Sequence, residues 1–242
     1  MRLNAIWVYL ASQPLLWLAL TVTLFWLARR LYLAVGGLAL CNPVLVSIAA
    51  IVCLLLLTGT GYQTYFDGAQ FIHFLLGPAT VALAVPLVQQ LPVLRRSLAP
   101  LSVALLVGAL AGILSTVALC WLLGVDGRTL LSLLPRSITT PIAMGVSDQI
   151  GGSAELTVVF VVITGVLGAA FGVPLLGRLV RSDPVAGGFA LGVTAHGIGT
   201  ARAFEVNEQA GAFAGLGMGL NGALTAVLIP LVVWALGLQG AA

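Results

Sequence analysis

Long apolar runs separated by short polar connections dominate the pattern along this chain. A helix that crosses a membrane needs about 20 mostly apolar residues, and seven runs approach or exceed that length. They are residues 5–27, 42–59, 71–91, 100–123, 156–176, 187–203 and 211–236. An eighth stretch, 137–150, is apolar but interrupted by polar residues. The pattern predicts an all-α, polytopic membrane protein with seven or eight membrane helices or half-helices.

The composition supports this prediction. Hydrophobic residues make up 60% of the 242 positions and charged residues 7%, and the mean hydropathy is +1.15, whereas a soluble domain is roughly 45–50% apolar. The net charge of +3 is small and scattered, which argues against a nucleic-acid partner. We therefore expect residues 1–242 to form one membrane domain surrounded by the lipid bilayer.

All ten basic residues are arginines, and six of them form three close pairs. The pairs are Arg29 with Arg30, Arg95 with Arg96, and Arg178 with Arg181. Each follows an apolar run, so the positive-inside rule places all three in cytoplasmic connections. If stretch 137–150 crossed the membrane fully, the last pair would emerge on the opposite side from the other two. The charge pattern therefore favours a re-entrant or broken segment there.

Three places combine helix-breaking residues with polar side chains inside apolar runs. They are Gly77-Pro78-Ala79-Thr80, the stretch 137–152 with Thr139, Thr140, Pro141 and Asp148, and the stretch 194–205 with His196, Gly197, Gly199, Thr200, Arg202 and Glu205. Proline removes a backbone donor, and glycine allows the chain to unwind. Unwound backbone is tolerated at membrane depth only where it is buried in protein or lines a watery cavity. The interruptions together predict an internal binding site.

A weak internal similarity links residues 75–86 with residues 195–206, at an offset of 120 positions. It divides the chain into halves 1–122 and 123–242. Secondary transporters are often built from two such halves, with interrupted helices at corresponding positions. The similarity has two interpretations. It reflects an inverted repeat of the elevator-like kind, or it is a coincidence in a sequence rich in glycine and alanine.

Arg202 is the charged residue that most needs an explanation. A charge at the bilayer centre costs at least about 2.5–3.5 kcal/mol, so the guanidinium requires a partner or a watery niche. Glu205 lies three positions later on the same helical face, so an ion-paired helix end is one interpretation. In the other, the five donors of Arg202 bind a carboxylate, and helix N-termini at the interruptions add further donors.

Two more ionisable residues allow either a structural or a functional role. His196 is a satisfied structural donor, or else a proton carrier or a second ligand for the anion. Asp148 caps a re-entrant turn, or else it binds a coupling cation together with Glu205.

Motifs of soluble enzymes are missing from the sequence. The stretch "GIGTAR" lacks the third glycine, the preceding strand and the downstream acid of a dinucleotide fingerprint. Two histidines 123 residues apart make a weak metal site, and no nucleophile and base occur together. We therefore expect neither an enzyme nor a cofactor.

Four segments in order resemble the signature segments of the LrgB/CidB family of membrane proteins. They are "YFDGAQFIHFLLGPATVALAVPL", "LLPRSITTPIAMGVSDQIGG", "LTVVFVVITGVLGAAFG" and "AHGIGTARAFE". The resemblance implies one of two functions. Family members were first described as antiholin-like or holin-like proteins that modulate murein hydrolase export and autolysis. The same domain forms the C-terminal part of the plant plastid glycolate/glycerate translocator, and bacterial relatives are linked to uptake of pyruvate or similar acids.

The resemblance also implies a small membrane protein of LrgA/CidA type as partner, which we expect to be encoded separately, and a location in the bacterial inner membrane. A carrier needs a compact anion site, and a pore does not. The sequence therefore favours a carrier of small 2-hydroxy or 2-keto monocarboxylates, which explains the polar interruptions, over an antiholin-like regulator. Coupling to an ion and alternating access are expected, and small-xxx-small spacing in 211–222 suggests a homodimer. The predicted substrate-binding residues are Arg202, His196, Thr200, Gly197, Gly199, Thr139, Thr140, Pro141, Pro78 and Thr80.

Overall fold

The computed structural model describes residues 13–37, 41–179 and 183–238, and the regular structure in these ranges is helical. The helices are α1 (Pro14–Ala34), α2 (Pro43–Thr58), α3 (Tyr62–Ala82), α4 (Ala84–Gln89), α5 (Leu91–Leu122), α6 (Gly127–Leu133), α7 (Thr140–Ile150), α8 (Ala154–Leu179), α9 (Pro184–Val206) and α10 (Glu208–Ala235). The predicted all-α class is confirmed for these residues. Arg181, which the sequence placed after an apolar run, lies outside the described ranges.

Five stretches of described residues are long and apolar enough to cross a membrane. They are Pro14–Ala34, Tyr62–Gln89, Leu91–Leu122, Ala154–Leu179 and Glu208–Ala235. Helix α2 is apolar but has 16 residues. Helix α7 has 11 residues, about 16 Å at 1.5 Å per residue, roughly half the hydrocarbon thickness of a bilayer. The length of α7 agrees with a re-entrant segment, whereas the number of seven or eight membrane elements stays a prediction.

Asparagine and aspartate set several helix starts. Side-chain oxygens accept from backbone N–H groups of the first turn at Asn42 (α2), Asp126 (α6), Asp183 (α9) and Asn207 (α10). Proline follows directly in α2 and α9, where its missing donor costs nothing. These caps explain why the apolar runs begin where they do.

Some expected boundaries are wrong. Arg29 and Arg30 lie inside α1, which continues to Ala34, and Arg95 and Arg96 lie near the start of α5 rather than in a connection. Arginine is a good helix former, and an apolar run alone does not reveal that its helix extends through the flanking charges.

The expected break at Pro78 is also wrong, because α3 continues through this proline and ends at Ala82. Helix α3 also begins at Tyr62, nine residues before the apolar run, so Asp67 and His73 lie within it. A proline inside a helix removes one hydrogen bond, and the flanking backbone can still keep helical dihedrals.

The chain separates into two compact units, residues 1–82 and 83–242. In the first, α1 packs against α2 and α3. Trp17 is fully buried, and a Cβ at Gly68 would lie 2.8 Å from its Cβ. Glycine at this position therefore lets α3 approach the indole. The proposed halves 1–122 and 123–242 stay a prediction.

In the second unit, α9 packs extensively against α10, and both contact α5. A Cβ at Gly188 would collide with the Ala210 carbonyl group, and one at Gly192 with that of Ala214. Small residues that let two backbones approach closely are typical of membrane helix pairs. In the stretch 211–222, a Cβ at Gly211 would meet the Phe204 ring of α9, whereas Gly219 faces open space. The homodimer stays a prediction.

Helices α6, α7 and α8 form a second packed region with α10. Its apolar core contains the fully buried side chains Leu131, Ile138, Ala143, Val161 and Ile229. This core covers one face of the short helix α7, through Ala143, Val146 and Ser147.

Candidate functional site

A break in α9 is the most distinctive feature of the second unit. Ala195 (φ −124°, ψ 16°) and His196 (φ 41°, ψ −132°) have non-helical dihedral angles inside an otherwise helical stretch. His196 is the one non-glycine residue with positive φ among the described residues. Such conformations are strained and cluster at functional sites. The interruption expected near Gly197 and Gly199 is therefore present, and it begins two residues earlier.

The imidazole of His196 is buried and attached to α8. Its Nε2 lies 2.9 Å from the carbonyl oxygen of Val161, so this nitrogen carries the proton. A Cβ at Gly165 would lie 2.7 Å from Cε1 of the ring, which leaves no space for a larger residue beneath it. The contacts agree with the structural-donor interpretation of His196.

Side chains from α10 support the backbone around the break. The amide of Asn221 donates to the Val193 carbonyl oxygen at 2.9 Å, and the hydroxyl of Thr225 donates to the Asn221 amide oxygen at 2.9 Å. A break disturbs the i to i−4 hydrogen bonds of a helix, and side chains from neighbouring helices can satisfy the freed groups. Asn221 thus supplies the Val193 carbonyl oxygen with a donor from the neighbouring helix.

Thr200, Gly197 and Gly199 lie on the C-terminal side of the break. The Thr200 hydroxyl donates to the His196 carbonyl oxygen at 2.8 Å. A Cβ at Gly199 would lie 2.8 Å from the Leu191 carbonyl oxygen, so this glycine is required by packing. Gly197 is exposed and has only Met218 near its Cβ position, at 3.9 Å. Of these positions, Gly197 leaves room for a ligand.

Arg202 and Glu205 form an ion pair. The guanidinium donates to the carboxylate at 2.7 Å, and the two side chains are 32% and 46% exposed. The pairing agrees with the interpretation of an ion-paired helix end. Binding of a carboxylate by Arg202, and of a coupling cation by Glu205, stay predictions that require the pair to open.

The start of α7 carries Thr139, Thr140 and Pro141. Thr139 is the N-cap residue but its side chain makes no capping hydrogen bond, and Pro141 lies in the first turn. The first backbone N–H groups of α7 are therefore left to another acceptor. Helices α7 and α9 both pack against α8 and α10. The start of α7 and the break in α9 therefore have the same two neighbouring helices, α8 and α10.

Asp148 and Pro78 complete the predicted set. Asp148 is exposed and lines a cavity of about 550 Å³ together with Gln149, Gly151 and Pro230. Pro78 is exposed in the first unit, and the side chain of Thr80 lies outside the described residues. The structure thus groups His196, Gly197, Gly199 and Thr200 at one break and places Asp148 at a separate cavity.

The sequence analysis missed Arg136 and Asn221. The Arg136 guanidinium is half-buried and donates to the Thr116 hydroxyl, and no carboxylate pairs with it among the described residues. Asn221 is 1% exposed. An amide within an apolar run was a visible signal for Asn221, whereas Arg136 stood in a polar connection where an arginine is ordinary.

These features define a multi-pass α-helical membrane protein with an interrupted helix held by buried polar contacts. The chain belongs to the LrgB-like family, whose model matches residues 21–235. The resemblance found in the sequence is thereby confirmed.

Relatives of the chain match it over most of its length. It is 31% identical over 221 residues to the holin-like protein CidB of Staphylococcus epidermidis, covering 91% of this chain and 96% of the relative. It is 33% identical over 223 residues to the holin-like protein CidB of Staphylococcus aureus, with the same two coverages. It is 39% identical over 193 residues to the protein YwbG of Bacillus subtilis, covering 79% of this chain and 85% of that protein. No solved structure matches the chain.

Proposed function

We propose that this protein is a holin-like or antiholin-like membrane protein that controls the permeability of the bacterial inner membrane and thereby murein hydrolase export and autolysis. The observation that carries the proposal is the similarity to holin-like CidB proteins over 91% of the chain and 96% of the relative. A match of this extent leaves no large part of the relative without a counterpart here.

The apolar surface of the chain supports the proposal. Large hydrophobic side chains are exposed along the membrane helices, among them Leu57 at 87%, Leu122 at 81% and Trp234 at 69% exposed. Lipid covers part of such a surface, and further protein subunits can cover the rest. We propose that a small membrane protein of LrgA/CidA type is one partner and that copies of this chain pair with each other. No catalysis is part of the proposal.

A leakage assay tests the holin-like function. The protein is reconstituted in vesicles that contain a small dye and a larger labelled dextran, with and without the small partner encoded beside it. We expect both solutes to leave the vesicles at a rate that does not saturate with solute concentration. This rate should differ between vesicles with this protein alone and vesicles that also contain the small partner. Protein-free vesicles are the control, and full retention of both solutes in every combination would contradict the proposal.

A carrier of small monocarboxylates such as glycolate, glycerate or pyruvate is the second candidate. The break in α9 favours it, because transporter sites are often built from discontinuous helices at the middle of the membrane. Import of an anion against an inside-negative potential costs about 2.3 kcal/mol per charge per 100 mV, so such a carrier would be coupled to an ion and work by alternating access.

Counterflow of a labelled acid tests the carrier. In vesicles loaded with unlabelled glycolate, glycerate or pyruvate, we expect saturable uptake of the labelled acid that falls at least tenfold in Arg202→Gln, because the cationic group is lost. Arg178→Gln, at the end of α8, is the matched control and should retain uptake. Equal uptake by both variants would exclude Arg202 from the anion site, and an absence of saturable uptake would exclude the carrier.

A further inference from the structure

Helix α9 folds back on itself at its break. A Cβ at Gly199 would lie 2.8 Å from the Leu191 carbonyl oxygen, although eight residues of a continuous helix span about 12 Å. One cavity of about 300 Å³ is lined by both Pro184 and Val206, the first and last residues of α9, which a straight helix would hold roughly 33 Å apart. The break therefore joins two short helices that lie side by side. We call them arm 1 (184–194) and arm 2 (197–206), and together the α9 hairpin.

The packing of α10 shows the same reversal of the chain. A Cβ at Gly188 would collide with the Ala210 carbonyl group. One at Gly192 would collide with that of Ala214, one turn further along both helices. Contacts that advance together along two helices mean that arm 1 and α10 run in the same direction. Arm 2, which connects them, therefore runs antiparallel to both.

The tip of the α9 hairpin lies halfway along two neighbouring helices. A Cβ at Gly165, near the middle of the 26 residues of α8, would lie 2.7 Å from the His196 ring at the tip. Asn221, in the middle of the 28 residues of α10, donates to the Val193 carbonyl oxygen beside the tip. Both α8 and α10 are long and apolar enough to cross a membrane. The hairpin therefore reaches their midpoint and returns.

Both ends of the α9 hairpin lie where α8 ends and α10 begins. Asp183 and Asn207, which cap arm 1 and α10, line the cavity of about 300 Å³ together with Leu176 of α8. A segment that enters and leaves beside the same ends of two crossing helices does not cross the membrane itself. The apolar run 187–203 thus makes no crossing, although its length approaches that of a membrane helix.

Arm 2 has one buried and one exposed face. Thr200 and Ala203 are buried, whereas Gly197, Ala201 and Glu205 are exposed and recur every four positions along the arm. This exposed stripe has no large apolar side chain, and it carries the ion pair of Glu205 with the guanidinium three positions earlier. Charged groups at membrane depth almost always face the protein interior or a water-filled cavity.

The exposed side of α8 has the opposite character. Its exposed residues Ile163, Leu167, Phe171 and Leu175 also recur every four positions, and all four are large and apolar. Such a stripe suits contact with lipid, as expected of a helix that crosses the membrane. The contrast indicates that the exposed stripe of arm 2 is in contact with water.

From these features we infer that arm 2 lines a water-filled recess, which opens on the face of the membrane where α8 ends and reaches the tip of the α9 hairpin. The recess gives water and small polar solutes access to Gly197 and to the Arg202–Glu205 pair from that face alone. Beyond the tip α7 covers α10, because a Cβ at Gly222 would lie 3.1 Å from the Ile142 side chain. The inference rests on neither the holin-like nor the carrier function.

Cysteine labelling in right-side-out and inside-out vesicles tests the course of α9. Single cysteines are introduced after the native cysteines have been replaced by serine. We expect a membrane-impermeant thiol reagent to reach Arg178→Cys and Glu208→Cys from one face, and Gln149→Cys, before α8, from the other. Reaction of Arg178→Cys and Glu208→Cys from opposite faces would mean that α9 crosses the membrane, and the inference would be overturned.

The same reagent tests the recess. We expect Ala201→Cys, on the exposed stripe, to react from the face that labels Glu208→Cys. Ala203→Cys, on the buried face of arm 2, and Phe171→Cys, on the apolar stripe of α8, should react at least about tenfold more slowly, because the reactive thiolate is disfavoured in apolar surroundings. If Ala201→Cys reacts as slowly as Phe171→Cys, arm 2 lines no recess.

A distance measurement gives a second readout that does not depend on orientation in vesicles. Spin labels are attached to Asp183→Cys and Val206→Cys in the protein purified in detergent. We expect a distance well below the roughly 35 Å of a continuous helix, because both residues border the same cavity. A distance near that length would show that α9 does not fold back and would overturn the inference.

Discussion

Gly192→Val is expected to prevent α9 from packing against α10. A side chain at Gly192 would collide with the Ala214 carbonyl group, and backbone cannot yield as a flexible side chain can. Overpacking of this kind costs about 3 kcal/mol or more when helices must separate. Size-exclusion chromatography and thermal melting in detergent should show loss of the monodisperse, cooperatively unfolding protein.

Gly219→Val is the matched control. Gly219 lies on α10 and is exposed, with no atom within 4 Å of its Cβ position. We expect this variant to melt within a few degrees of the parent protein. If Gly192→Val were equally well tolerated, the close approach of α9 and α10 would not be a feature of the folded protein.

Substitutions at His196 should reverse the usual order of alanine and glycine. In a helix interior alanine is more stable than glycine by about 1 kcal/mol. His196 has φ 41° and ψ −132°, which glycine adopts freely and alanine does not. Both variants lose the hydrogen bond to Val161, so that loss cancels in the comparison. We expect His196→Ala to be less stable than His196→Gly by about 1–2 kcal/mol.

Denaturation of the two variants under the same detergent conditions measures this difference. Ala201 provides the reference, because it lies in the regular part of α9 and is exposed. Ala201→Gly should be destabilised by about 1 kcal/mol. A His196→Ala variant at least as stable as His196→Gly would mean that the break is not built into α9.

The sequence was sufficient for the class of fold and for the position of one interruption. Apolar runs specified the helices because burial in lipid imposes length and composition. They did not specify the starts of α9 and α10, which the capping side chains of Asp183 and Asn207 place three residues earlier than the runs. Pro78 was misleading, since a missing donor does not by itself break a helix. The extent of α1 beyond Arg29 was also hidden, because arginine does not mark a helix end.

The polar contacts of the second unit depended on pairings between distant segments. Asn221 meets Val193 across 28 positions, and Thr157 meets Ser132 across 25. Single residues with a hydrogen-bonding group were visible in the sequence, but their partners are backbone carbonyls that any residue supplies. Arg202 shows the converse case, because its partner Glu205 is three positions away and was foreseeable from helical spacing alone.

The hydrogen bond from Asn221 ties the bend in α9 to α10. Its acceptor is the carbonyl oxygen of Val193, two residues before the first non-helical position, Ala195. A shift of α10 along its own axis would carry the amide away from this oxygen, so the position of α10 along α9 and the support of the bend depend on each other.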